Sequence, residues 1–133
     1  MMAVMSLYDC AKVILTRYLA YDYEAYNVLY CLIHKHPVSE CAWMLGIPHY
    51  RVRGLYNRYY RCLNYTEELE KVYDWIAKSE ITPYVSSNYE KCKCGAFLYW
   101  DRVTAIQHIA NVHSMEIHML LEKLIKETNL GRR

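Results

Sequence analysis

The chain has 133 residues, 54% of them hydrophobic, and a formal net charge of +2. That length holds one domain or two small ones, and that apolar content excludes a disordered chain. No run of about 20 apolar residues occurs, and Asp9 and Lys12 interrupt the opening, so neither a membrane span nor a signal segment is expected.

Residues 5–20 place Leu7, Cys10, Ala11, Ile14, Tyr18 and Leu19 at three- and four-residue steps, which predicts an amphipathic helix. Residues 23–35 follow with Ala25, Val28, Leu29, Leu32 and Ile33, a second and more buried helix ended by Pro37. Residues 38–45 and 48–62 are read as a pair of helices joined at Gly46. Asn64 with Glu67, or Thr66 alone, is suited to cap a fifth helix over 65–79, whose stripe is Leu69, Val72, Tyr73 and Ile76. Pro83, Ser86, Ser87 and Asn88 then mark a linker over 80–91, with room for a short strand from Ile81 to Val85. A hairpin through Cys92 and Cys94, with Gly95 at positive φ, leads to a helix from about Asp101. Ile117, Leu120, Leu121 and Leu124 define a last helix ending near Leu130. The predicted domains are 1–79 and 92–133, separated by that linker.

Two motifs carry chemistry. In VSECAWMLGIPHYRVRGL, over 38–55, Ala42 allows close helix crossing and Gly46 allows a left-handed exit from the first helix. Ile47, Val52 and Leu55 point back between the helices. The opposite face presents His49, Tyr50, Arg53, Gly54 and Asn57. Arg53 and Asn57 have the chemistry to read guanine and adenine, while Arg51, Arg58 and Arg61 suit phosphates. Charge supports this: residues 35–65 carry Lys35, Arg51, Arg53, Arg58 and Arg61 against Glu40 alone, whereas 66–80 is acidic. The alternative is a solvated helix face balanced by an acidic neighbour.

The second motif is Cys92-x-Cys94, thirteen residues, then His108-x4-His113. Two thiolates and two imidazoles make a closed tetrahedral set, the pattern of structural Zn2+. Five-residue spacing keeps both histidines on one helix only if its last turn loosens. The other cysteines, Cys10, Cys31, Cys41 and Cys62, sit singly in apolar helical stretches and are expected as buried thiols, with an oxidised pair among them left open.

Residues 38–58 resemble the helix-turn-helix transcription regulators, and 90–113 resemble the two-Cys, two-His zinc finger. Small proteins that combine such modules are familiar from crenarchaea and their viruses. The resemblance implies a mainly α fold: an N-terminal helix-turn-helix domain, a small ββα zinc-finger-like module and a C-terminal helix. In the finger, Phe97 or Leu98 would take the aromatic core position, and Ala105 or Ile106 the leucine position. The finger's base-reading positions would fall on Asp101, Thr104 and Gln107, with Lys91 and Lys93 available to touch DNA weakly.

The function expected is sequence-specific binding of double-stranded DNA by a transcription regulator that reads the major groove with helix 48–62. Homodimers are usual for such an architecture, because one short helix contacts few base pairs. The competing expectation is a zinc-stabilised protein-interaction adaptor, suited to 15 tyrosines against one phenylalanine. No phosphate-binding glycine loop or nucleophile–base set is separable from the metal ligands, so neither an enzyme nor a small-molecule substrate is expected. An intracellular location follows from the cysteine usage expected.

Overall fold

A computed structural model describes residues 5–131. Helix α1 (Leu7–Leu19) starts at a capping box: Asp9 N–H donates to Ser6 Oγ at 3.0 Å, and Ser6 N–H donates back to Asp9 at 3.1 Å. Helix α2 (Tyr23–Ile33) is capped by Asp22, whose carboxylate accepts from Ala25 N–H. Then come α3 (Val38–Leu45), α4 (His49–Tyr59), a 3-10 stretch (Tyr60–Tyr65), α5 (Thr66–Lys78), α6 (Arg102–Val112) and α7 (Ser114–Thr128).

The expectation of mainly α structure holds, but the ββα module is absent. Among the described residues there is no strand, only two isolated antiparallel bridges, Val85 with Cys92 and Lys91 with Phe97. The expected strand at Ile81–Val85 is therefore reduced to one bridge. Two turns leave too few residues for a ladder. Ser86 Oγ accepts from the N–H of Glu90 and Lys91, and Gly95, at φ +91°, donates to Cys92 O at 2.9 Å.

Two further corrections concern the middle of the chain. The helix expected over 48–62 is α-helical only to Tyr59 and then tightens into the 3-10 stretch, which runs directly into α5. With helical backbone already arriving at Thr66, no side-chain cap from Asn64 or Thr66 forms. Cys10 and Cys62 are not free thiols: they form a disulfide, with Cα atoms 5.7 Å apart, that fastens the 3-10 stretch to α1. Cys31 and Cys41 are free and buried, and burial, helped by neighbouring Cys31, pushes the Cys41 thiol up to about 12.

Helix α1 is the centre of the fold. Its Ile14, Leu15 and Leu19 share one buried cluster with Leu69, Val72 and Ile76 of α5, Ala105 and Ile109 of α6, and Ile117, Leu121 and Leu124 of α7. Each fully buried leucine is worth roughly 1.5–3 kcal/mol of transfer free energy, so this interior dominates stability. Residues on both sides of 80–91 contribute to it. A smaller cluster of Val28, Cys31, Leu32, Cys41, Ala42 and Val52 seats α3 and α4 on α2.

Between α3 and α4, Gly46 adopts φ +65°, and Ile47 N–H donates to Ala42 O at 3.1 Å. Val52 is fully buried, while Ile47 and Leu55 pack at the edge of the small cluster. A Cβ on Gly46 would meet nothing within 4 Å, so only the backbone opposes one. Gly46→Ala is expected to lower stability by about 1 kcal/mol. A chemical denaturation midpoint indistinguishable from the parent protein's would refute that account.

Candidate metal centre and nucleic-acid interface

Cys92, Cys94, His108 and His113 converge, their ligand atoms all lying within 4.8 Å of one another, and the set can hold a metal ion. Three local features bring them together. The bridge to Val85 and the hydrogen bond from Cys92 N–H to Ala96 O, at 3.0 Å, hold the knuckle. Asp101 caps α6, accepting from the N–H of Val103 and Thr104, and so aims His108 along the helix. His113 stands just beyond α6, at φ −104° and ψ 22°, in the joint with α7. The expectation that one helix carries both histidines is thus corrected: α6 ends at Val112, and that joint resolves the five-residue spacing.

Each thiol faces one imidazole. Cys92 Sγ and His113 Nε2 are 3.3 Å apart, as are Cys94 Sγ and His108 Nε2. Ligands bonded tetrahedrally to one zinc ion would stand roughly 3.3–3.8 Å apart. On the far side of its ring, His113 Nδ1 meets Glu116 at 2.7 Å, which fixes Nε2 toward the cluster. Burial opposes a charge on His113, but the hydrogen bond with Glu116 and the nearby Cys94 thiol raise its pKa.

The two thiols differ. The backbone N–H of Ala96, then the neighbouring imidazoles of His113 and His108, bring Cys94 down to about 6, whereas burial pushes Cys92 up. Cys94 is exposed and Cys92 buried, so the ion would be reached from the Cys94 side. Glu116 was legible in the sequence as the third residue after His113, where a carboxylate can stand behind a ligand without being one.

Protein-family models, curated proteins and solved structures give no match to this chain.

The residues expected to touch DNA lie mostly on the exposed side of α4. His49, Tyr50, Arg53 and Asn57 face solvent, and the helix contains no Asp or Glu. Arg53 has no ion-pair partner among the described residues. Arg58 is exposed and lies over the Tyr59 ring at 5.9 Å, and Arg61 is half-buried over Tyr60 at 5.2 Å. Arg51 is different: its guanidinium pairs with Glu24 of α2 at 3.1 Å. Glu24 also takes Arg102 of α6 at 2.7 Å, so one carboxylate joins the two helices. Burial works against Glu24's charge, but hydrogen bonds from Arg102 and Arg51 hold its carboxyl below the usual range.

The finger-like positions fare unevenly. Leu98, not Phe97, is buried, and Ala105 rather than Ile106 fills the core. Asp101 is occupied as a cap, and Lys93 sits over the Tyr84 ring at 3.3 Å while pairing with Glu116 at 3.8 Å.

Proposed function

We propose that this protein is a duplex-DNA-binding transcription regulator that lays α4 in the major groove and uses the Cys92, Cys94, His108 and His113 cluster as a structural zinc site. The observation that carries the DNA reading is the solvent face of α4, where Tyr50, Arg53 and Asn57 stand together on a helix without a carboxylate. Arg58 and Arg61 extend its positive charge toward the 3-10 stretch, in position to meet phosphates. Two sulfur and two nitrogen donors, with a carboxylate behind one histidine, favour zinc over calcium or magnesium, which prefer oxygen. Four protein donors also favour a closed site over a catalytic one.

Binding of the purified protein to a duplex pool across a salt series tests this. Affinity should fall steeply with salt, and selection should enrich one sequence. Arg53→Ala should cost about 1–3 kcal/mol of specific affinity. Equal loss on target and random duplexes would remove the base-reading role from Arg53.

A second reading, a zinc-stabilised protein adaptor, is favoured by one observation. Trp43 is 84% exposed beside exposed Met44 and Leu45 at the end of α3, with Tyr50 72% exposed at the start of α4. Exposed apolar side chains so clustered suit a protein partner. Absence of duplex binding at low salt would favour this alternative.

A further inference from the structure

Arg51, Gly54, Leu55 and Arg58 of α4 form one wall of a cleft of about 280 Å³. The facing walls come from the joint of α1 with α2, through Arg17, Asp22 and Glu24, and from the start of α6, through Arg102 and Val103. Four guanidiniums therefore face two carboxylates. Asp22 accepts from Arg17 at 2.9 Å and stands 3.8 Å from Arg102, while Glu24 holds Arg51 and Arg102. Arg58 makes no ion pair among the described residues and rests on Tyr59, whose hydroxyl accepts from Arg17 at 2.8 Å. Gly54 leaves the α4 wall open, since a Cβ there would meet nothing within 4 Å.

We infer that this cleft binds a phosphate group, held by Arg58 together with Arg51 and Arg102. Guanidiniums match phosphate with paired N–H donors, and three from separate positions can surround it as one lysine cannot. The positive surplus gives the anion its attraction. Glu24 holds Arg51 and Arg102 together at the cleft wall through one guanidinium nitrogen of each, which leaves their other N–H groups for the ligand. The phosphate comes either from the DNA backbone, in which case the inference rests on the DNA-binding reading, or from a free phosphate ester. Both supply the same oxygens to the same arginines.

Calorimetry with pyrophosphate and a 5′-mononucleotide, at fixed ionic strength with chloride as reference, tests the free ester. Duplex binding across a salt series tests the backbone. Arg58→Gln and Val103→Glu are the variants. Both positions are exposed, and the second puts a carboxylate on the cleft wall. Lys126→Gln on α7 controls for net charge. Pyrophosphate or nucleotide binding that weakens about tenfold in both variants, and not in the control, assigns a free-ester site even if no duplex binds. If only duplex binding weakens, with the salt slope reduced by about one, the cleft holds a backbone phosphate. If free ligands do not bind and neither variant alters duplex binding or its slope, the inference is overturned. The DNA-binding reading would then stand or fall separately on Arg53.

Discussion

If the cluster holds zinc as proposed, removing it is expected to open the knuckle and loosen α6 and α7, with a stability loss above about 4 kcal/mol, the range reserved for loss of a structural metal or comparable centre. Structural zinc in finger peptides contributes roughly 10–16 kcal/mol of apparent binding energy. Here part of the folding does not depend on the metal, because Ala105, Ile109, Ile117, Leu121 and Leu124 already pack on α1 and α5. The knuckle shares that interior through Val85, Cys92 and Leu98. Around the two cysteines its backbone contacts are turns and two bridges, and the ligand set, beside the Lys93–Glu116 pair, ties it to the α6–α7 joint through two separate histidines.

The dependence on pH follows from the thiols. Metal binding displaces a proton from Cys92, whose pKa burial raises, and more readily from Cys94, whose ordinary pKa is lowered to about 6. Affinity should thus rise with pH while Cys92 titrates, and the metal's stabilisation should be lost as pH falls. Metal content by mass spectrometry, with amide exchange before and after chelation, checks both points. Unchanged protection of the Ile109 and Leu121 amides after complete metal removal would show that the hydrophobic interior alone holds this half.

Much of this arrangement was legible in the sequence because it is local. The spacing of Ile14, Leu19, Leu69 and Ile76 fixes helix faces, and Gly46 takes the left-handed geometry that its position between two helical patterns required. The four-ligand set was also readable, since spacing limits which donors a short knuckle and a helix can bring together. What failed depended on contacts distant in sequence. The resemblance to a finger implied two strands, but the turns at Ser86 and Gly95 occupy the residues that strands would need. The pairing of Arg51 with Glu24, 27 residues away, likewise gave no sign in the spacing. Nothing in the spacing of Arg17, Asp22, Glu24 and Arg102 announces that they meet at one cleft. Pairing of Cys10 with Cys62 was one open choice among four isolated cysteines, decided by how α1 packs beside the 3-10 stretch.

Breaking that disulfide is the second large perturbation expected. The bond joins residues 52 apart, and in the chain-entropy account a loop of that size stabilises the fold by about 4 kcal/mol through restriction of the unfolded chain. Its removal should cost little in native packing, because both cysteines stay buried among apolar neighbours and alanine leaves only a small gap. The Cys10→Ala/Cys62→Ala pair should therefore fold and bind metal normally, yet unfold at a lower denaturant midpoint. Wild-type protein treated with reductant should match it, provided metal is resupplied, since Cys92 and Cys94 are thiols in both states.

The local consequence separates this bond from a general loss of stability. Its anchor, Cys62, lies in the 3-10 stretch between α4 and α5, so amide exchange should rise first over 60–65 and then at the end of α4. The metal cluster is built from α6, its joint with α7 and the knuckle, and should keep its protection. Equal midpoints for oxidised protein, reduced protein and the double variant would mean that α1 and the 3-10 stretch are held by Leu69, Tyr59 and their neighbours alone. A midpoint shift without faster exchange over 60–65 would place the effect wholly in the unfolded chain, as the entropic account requires in its strictest form.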